Sequence, residues 1–84
     1  MDQLTISIHA PSCEHDGVSL GGYKEALERE FGQEFDVKFE DVLLGGDLQY
    51  QYGYTGFRTT NPKSKKVEPR VIKVYQSLLL RTVG

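Results

Sequence analysis

A chain of 84 residues, 38% hydrophobic and 26% charged, is long enough for one modest core and too short for two, so residues 1–84 read as a single small globular domain rather than a disordered segment. The lone Cys13 excludes an intrachain disulfide, and the longest purely apolar run, Leu78-Leu79-Leu80, is too short for a membrane-spanning helix. Charge is sorted along the chain: residues 1–47 set eleven acids against Lys24, Arg29 and Lys38, a balance of −8, whereas residues 48–84 set seven bases against Glu68, a balance of +6, and the whole carries −2.

The opening Met1-Asp2-Gln3 lacks the basic and apolar regions of a signal peptide, which predicts a cytoplasmic chain. Residues 4–10 alternate, with Leu4, Ile6, Ile8 and Ala10 on one face and Thr5, Ser7 and His9 on the other, the pattern of a half-buried strand that Pro11 ends. A polar loop is expected from Ser12 to Val18. From Leu20 to Phe31 the period becomes helical, with Leu20, Tyr23, Leu27 and Phe31 as the apolar stripe, Ser19 as N-cap and Gly32 as the stop. Lys24 with Glu28, and Glu25 with Arg29, lie four apart on its outer side.

Phe35, Val37 and Phe39 alternate with Asp36, Lys38 and Glu40, a second strand continuing into Val42-Leu43-Leu44, with a shift of parity near Glu40-Asp41 that suits a bulge. Gly45-Gly46-Asp47 is a turn signal, and a third strand follows from Leu48 with Tyr50, Tyr52 and Tyr54 on one face. Asn61 to Lys66 reads as a solvated loop. Residues 70–83 fit two periods. A strand places Ile72, Val74, Leu78 and Leu80 together, and a helix uses Val71, Val74, Tyr75, Leu78 and Thr82; the β-branched content favours the strand.

The resulting β-α-β-β-β order predicts an α+β fold: an antiparallel four-stranded sheet with one helix packed across one face. That order is similar in outline to the cystatin-like topology, but the Gln-x-Val-x-Gly inhibitory motif is absent and no function follows from the likeness.

No residue set identifies a reaction. His9, Cys13 and His15 include metal-ligand types, yet structural sites draw on two separated ligand pairs and no second pair exists, so neither metal nor cofactor is implied. Cys13 next to Glu14 and near Asp16 is a poor nucleophile, because like charge disfavours its thiolate. The expectation is therefore a non-enzyme. Basic and aromatic residues converge instead in the second half. Arg58, Lys63, Lys65, Lys66 and Arg70, with Tyr52, Tyr54 and Phe57, form one candidate partner-binding set, and Glu25 and Glu28 on the helix form an acidic one.

Charge of both signs on a small body predicts a non-catalytic adaptor, assembly subunit or inhibitor docking on a protein or nucleoprotein partner. The alternative is binding of RNA or single-stranded DNA, with tyrosines stacking on bases and lysines meeting the backbone. The opposed halves also allow a homodimer. No membrane partner is expected.

Overall fold

The computed structural model describes residues 1–42, 53–61 and 66–82. In chain order the elements are β1 (Asp2–His9), α1 (Ala10–His15), α2 (Leu20–Phe31), β2 (Phe35–Val42), β3 (Tyr54–Thr59) and α3 (Val67–Thr82). The alternation of β1 does what its period requires: Leu4, Ile6 and Ile8 are fully buried while Thr5 and Ser7 stay half-buried on the opposite face. Pro11 has no N–H to give a sheet and instead occupies the first turn of α1, so the expected polar loop is helical over its first half. Gly17, at φ 73°, then turns the chain, and Val18 N–H donates to the Cys13 carbonyl at 2.8 Å.

The second helix follows its sequence signals. Ser19 accepts from Gly22 N–H at 3.3 Å, and Tyr23, Leu27 and Phe31 form the buried stripe. Lys24 does not meet Glu28; it reaches Asp41 of β2 at 3.1 Å and lies over the Phe39 ring.

The expected antiparallel four-stranded sheet is not what forms. Among the described residues the sheet is mixed and three-stranded, in the order β2-β1-β3, with β1 parallel to β2 and antiparallel to β3. The physical reason is that α2 acts as a crossover, carrying the chain back so that β2 enters beside β1 in the same direction. The expected final strand is the helix α3, whose residues Val67, Val71 and Tyr75 recur every four positions and are buried. The resemblance to the cystatin-like order falls with that correction. Pairing of β1 with β2 keeps register from Asp2–Phe35 through His9–Val42, so the bulge expected at Glu40-Asp41 is absent, and the register shift instead falls between Ser7 and Ile8 against β3. The turn at Gly45-Gly46-Asp47 and the strand expected from Leu48 through Tyr50 and Tyr52 lie outside the described residues.

Both α2 and α3 pack on the Leu4–Ile6–Ile8 face, making one core. Tyr23 and Tyr75 touch with centroids 4.9 Å apart, and Phe31 meets Phe35 edge-on at 6.2 Å. Among the described residues no helix is long and apolar enough to cross a membrane.

Candidate interaction surfaces

With both long helices on one side, the other side of the sheet is polar. Register places Lys38, Thr5 and Arg58 in one row across the three strands and Glu40, Ser7 and Gly56 in the next. Ser7 Oγ donates to Glu40 Oε2 at 3.1 Å, and the Arg58 guanidinium reaches diagonally to Glu40 Oε1 at 2.9 Å over the space that Gly56, lacking a side chain, leaves open. Lys38 is exposed and forms no ion pair among the described residues.

The second surface is a groove of about 290 Å³ between α2 and α3. Ala26, Val74 and Leu78 supply its apolar floor; Arg29, Glu30, Arg70, Lys73 and Ser77 supply the polar rim. These cations differ in how firmly they are held. Among the described residues Arg29 pairs with Glu25 alone, one turn away at 3.5 Å with both side chains about two-thirds exposed, a contact of little energy. Lys73 is exposed and has no carboxylate partner among the described residues.

Arg70 is spoken for. Its Nε donates to Glu30 Oε1 at 3.0 Å, Nη2 donates to the Glu30 carbonyl at 3.0 Å and to Glu34 Oε2 at 2.6 Å, Nη1 donates to Glu34 Oε1 at 3.3 Å, and the guanidinium stacks 4.4 Å from the Phe31 ring centre. The fork thereby caps the C-terminal end of α2 and ties the first turns of α3 to it. Arg70 hydrogen bonds hold the Glu34 carboxyl below the usual carboxylate range. A carboxyl depressed in the folded state contributes stability above its unfolded pKa, and that contribution disappears as pH falls through the folded one. In urea titrations the advantage of wild type over Glu34→Gln should accordingly be full at neutral pH and shrink as pH falls below the ordinary glutamate range. Arg70→Met should cost about 2 kcal/mol at low salt, from the lost carbonyl bond, the ring stacking and the exposed pairs with Glu30 and Glu34 together. Part of the difference should fade as salt rises, and equal denaturation midpoints for the two proteins would show that the clamp does not tie the helices.

The other sequence-nominated residues are dispersed. Phe57 turns inward against the core, Arg58 lies on the open sheet face, and Lys66 is exposed just before α3. Glu25 and Glu28 are exposed on α2, Tyr54 begins β3, and Tyr52, Lys63 and Lys65 lie outside the described residues. The structure therefore does not gather Phe57, Arg58 and Arg70 into one patch.

At the end of β1, His9, Ser12 and Cys13 are buried, while Glu14, His15 and Asp16 are exposed. His9 is buried, its Nδ1 is 2.7 Å from Ser12 Oγ, and Cys13 lies in the core. Burial, and then the Asp16 charge, push the Cys13 thiol up to about 11, so it stays protonated at neutral pH. The Tyr75 hydroxyl donates to the Asp16 carboxylate, joining α3 to the turn after α1, and burial together with that bond raises the phenol well above its ordinary range. Among the described residues no three His, Cys, Asp or Glu side chains converge as a metal ion requires.

Sequence reasoning missed Lys38, Thr5 and Ser7 on the sheet face and Lys73 in the groove. The polar side of the first two strands was visible as alternation. That Lys38 and Arg58 flank the same hydroxyl depends on strand order, which no local pattern encodes. No protein-family model, curated protein or solved structure matches this chain, so its chemistry is read from these side chains alone.

Proposed function

We propose that this chain is a non-catalytic cytoplasmic docking protein that takes an acidic, apolar-anchored segment of a partner protein into the groove between α2 and α3. The observation behind this reading is the groove itself: an apolar floor of Ala26, Val74 and Leu78 beside Lys73 and the loosely tied Arg29. An apolar side chain resting on that floor gives up water contact, while a neighbouring carboxylate meets cations whose partners among the described residues are weak or lacking. The nucleic-acid alternative has less geometry behind it, since Phe57 is packed inward and Arg58 is engaged by Glu40.

Selection from a displayed peptide library tests the proposal. Enriched peptides should place Asp or Glu beside a Leu, Ile or Phe, and Lys73→Glu with Arg29→Glu should weaken a labelled enriched peptide by at least about tenfold in fluorescence anisotropy. A lack of enrichment, or affinity untouched by the double reversal in a protein that still melts normally, refutes it.

A further inference from the structure

The open face of the sheet has a charge pattern that is complementary to itself. Its two central rows are Lys38–Thr5–Arg58 and Glu40–Ser7–Gly56, each running from β2 through β1 to β3. Consider a second copy laid face to face, related by a two-fold axis that lies between these rows and runs across the strands. Each strand then crosses its own counterpart in the opposite direction, and each row faces the other. Lys38 meets the partner's Glu40 and Thr5 meets the partner's Ser7, while the Arg58 side chain gives up its exposed bridge to its own Glu40 and faces the partner's Gly56, which offers no side chain to collide with. The axis generates every contact twice, as an isologous interface requires. Neither row meets a like charge.

We propose that this face is a homodimer surface, occupied by a second copy of the chain in this register. It stands apart from the groove, which lies on the helical side of the molecule. With the Arg58–Glu40 bridge exchanged for contacts to the partner, the central strand presents only the short Thr5 and Ser7 side chains, so two sheets can approach closely, with Lys38 and Glu40 forming charged contacts along β2. Size sets the strength. Three strands at about 4.8 Å spacing and about 20 Å of strand length give a footprint far below the roughly 800 Å² per partner of a standard stable complex. The dimer is therefore of the weak, concentration-dependent class, and salt dissociates it because its directional contacts are exposed ion pairs.

Sedimentation equilibrium of the whole chain at low and high salt is the first measurement, with Lys38→Glu and Glu40→Lys as the variants. Wild type should self-associate reversibly at low salt and less at high salt, and each variant alone should associate at least about tenfold more weakly. An equimolar mixture of the two variants should dimerise again. One chain then carries carboxylates at both positions, the other carries ammonium groups at both, and every facing pair joins opposite charges. Should Glu40→Lys fail to fold, cysteine pairing gives the same information: a mixture of Thr5→Cys and Ser7→Cys chains should form interchain disulfides several-fold faster than either alone. Monomeric wild type at all concentrations, a mixture of folded variants that stays monomeric, or equal cross-linking in all three samples each overturns the proposal.

Discussion

Tyr75→Ala should lose about 3–5 kcal/mol, the range for deleting a buried aromatic ring, out of the roughly 4–13 kcal/mol that a domain of this size possesses. Tyr75 is fully buried at the centre of α3, where its ring meets Tyr23 and its hydroxyl bonds Asp16. One side chain thereby joins the second helix to the turn after the first. The ring and the hydroxyl can be separated. Asp16 is exposed and can be solvated by water, so Tyr75→Phe should cost only about 1 kcal/mol, lowering Tm by about 4–8 °C against 15 °C or more for the alanine variant. Thermal melts followed by near-ultraviolet circular dichroism check both, and equal losses in the two variants would mean that the hydroxyl, not the ring, dominates.

Gly53→Ala should cost about 2–4 kcal/mol. Gly53 sits at φ 57°, where a non-glycine residue is strained by about 1 kcal/mol, and a methyl group there would overlap the Cys13 sulfur while lying 3.5 Å from the Tyr75 ring. Overpacking a full core adds about 1–3 kcal/mol more. The two causes can be told apart. In a Cys13→Ala background the overlap disappears and the backbone strain does not, so the double variant should be more stable than the sum of the single losses by about 1 kcal/mol or more. Strict additivity in urea denaturation would assign the whole effect to backbone conformation.

Where the sequence signals were local, they were readable. The alternation of Leu4, Ile6 and Ile8 and the Ser19 cap ahead of Tyr23, Leu27 and Phe31 are short-range codes for a strand and a helix; the helix forms as read, and the strand forms as Asp2–His9, with Ala10, expected on its apolar face, opening α1 instead. The third helix was obscured because Val67, Val71, Ile72 and Val74 are β-branched residues that suit a strand equally well; burial of Val71 and Tyr75 against α2 decides the matter, and that is tertiary. Its cost is visible in Leu80, left 79% exposed, as the helical period requires. Strand order was hidden for a related reason. Nothing near Phe35 or Phe57 states that both strands flank β1. The same holds for Arg70, whose sequence neighbours reveal neither Glu30 and Glu34 nor the Phe31 ring, although these contacts turn a free-looking cation into a clamp.

Because the strand at the centre of the sheet is synthesised before everything that covers it, this fold cannot close until α3 has emerged. β1 leaves the ribosome ahead of its neighbours, which are residues 35–42 on one side and 54–59 on the other, and the lid of its apolar face includes Tyr75. At about 5–20 residues per second, roughly 3–13 s separate the appearance of His9 from that of Tyr75. Until the end of that interval Leu4, Ile6 and Ile8 lack the Val71 and Tyr75 side chains that complete their cover. Nascent chains arrested before α3 should bind holdase chaperones through this segment, and release should coincide with emergence of Val71 and Tyr75 rather than with completion of the sheet.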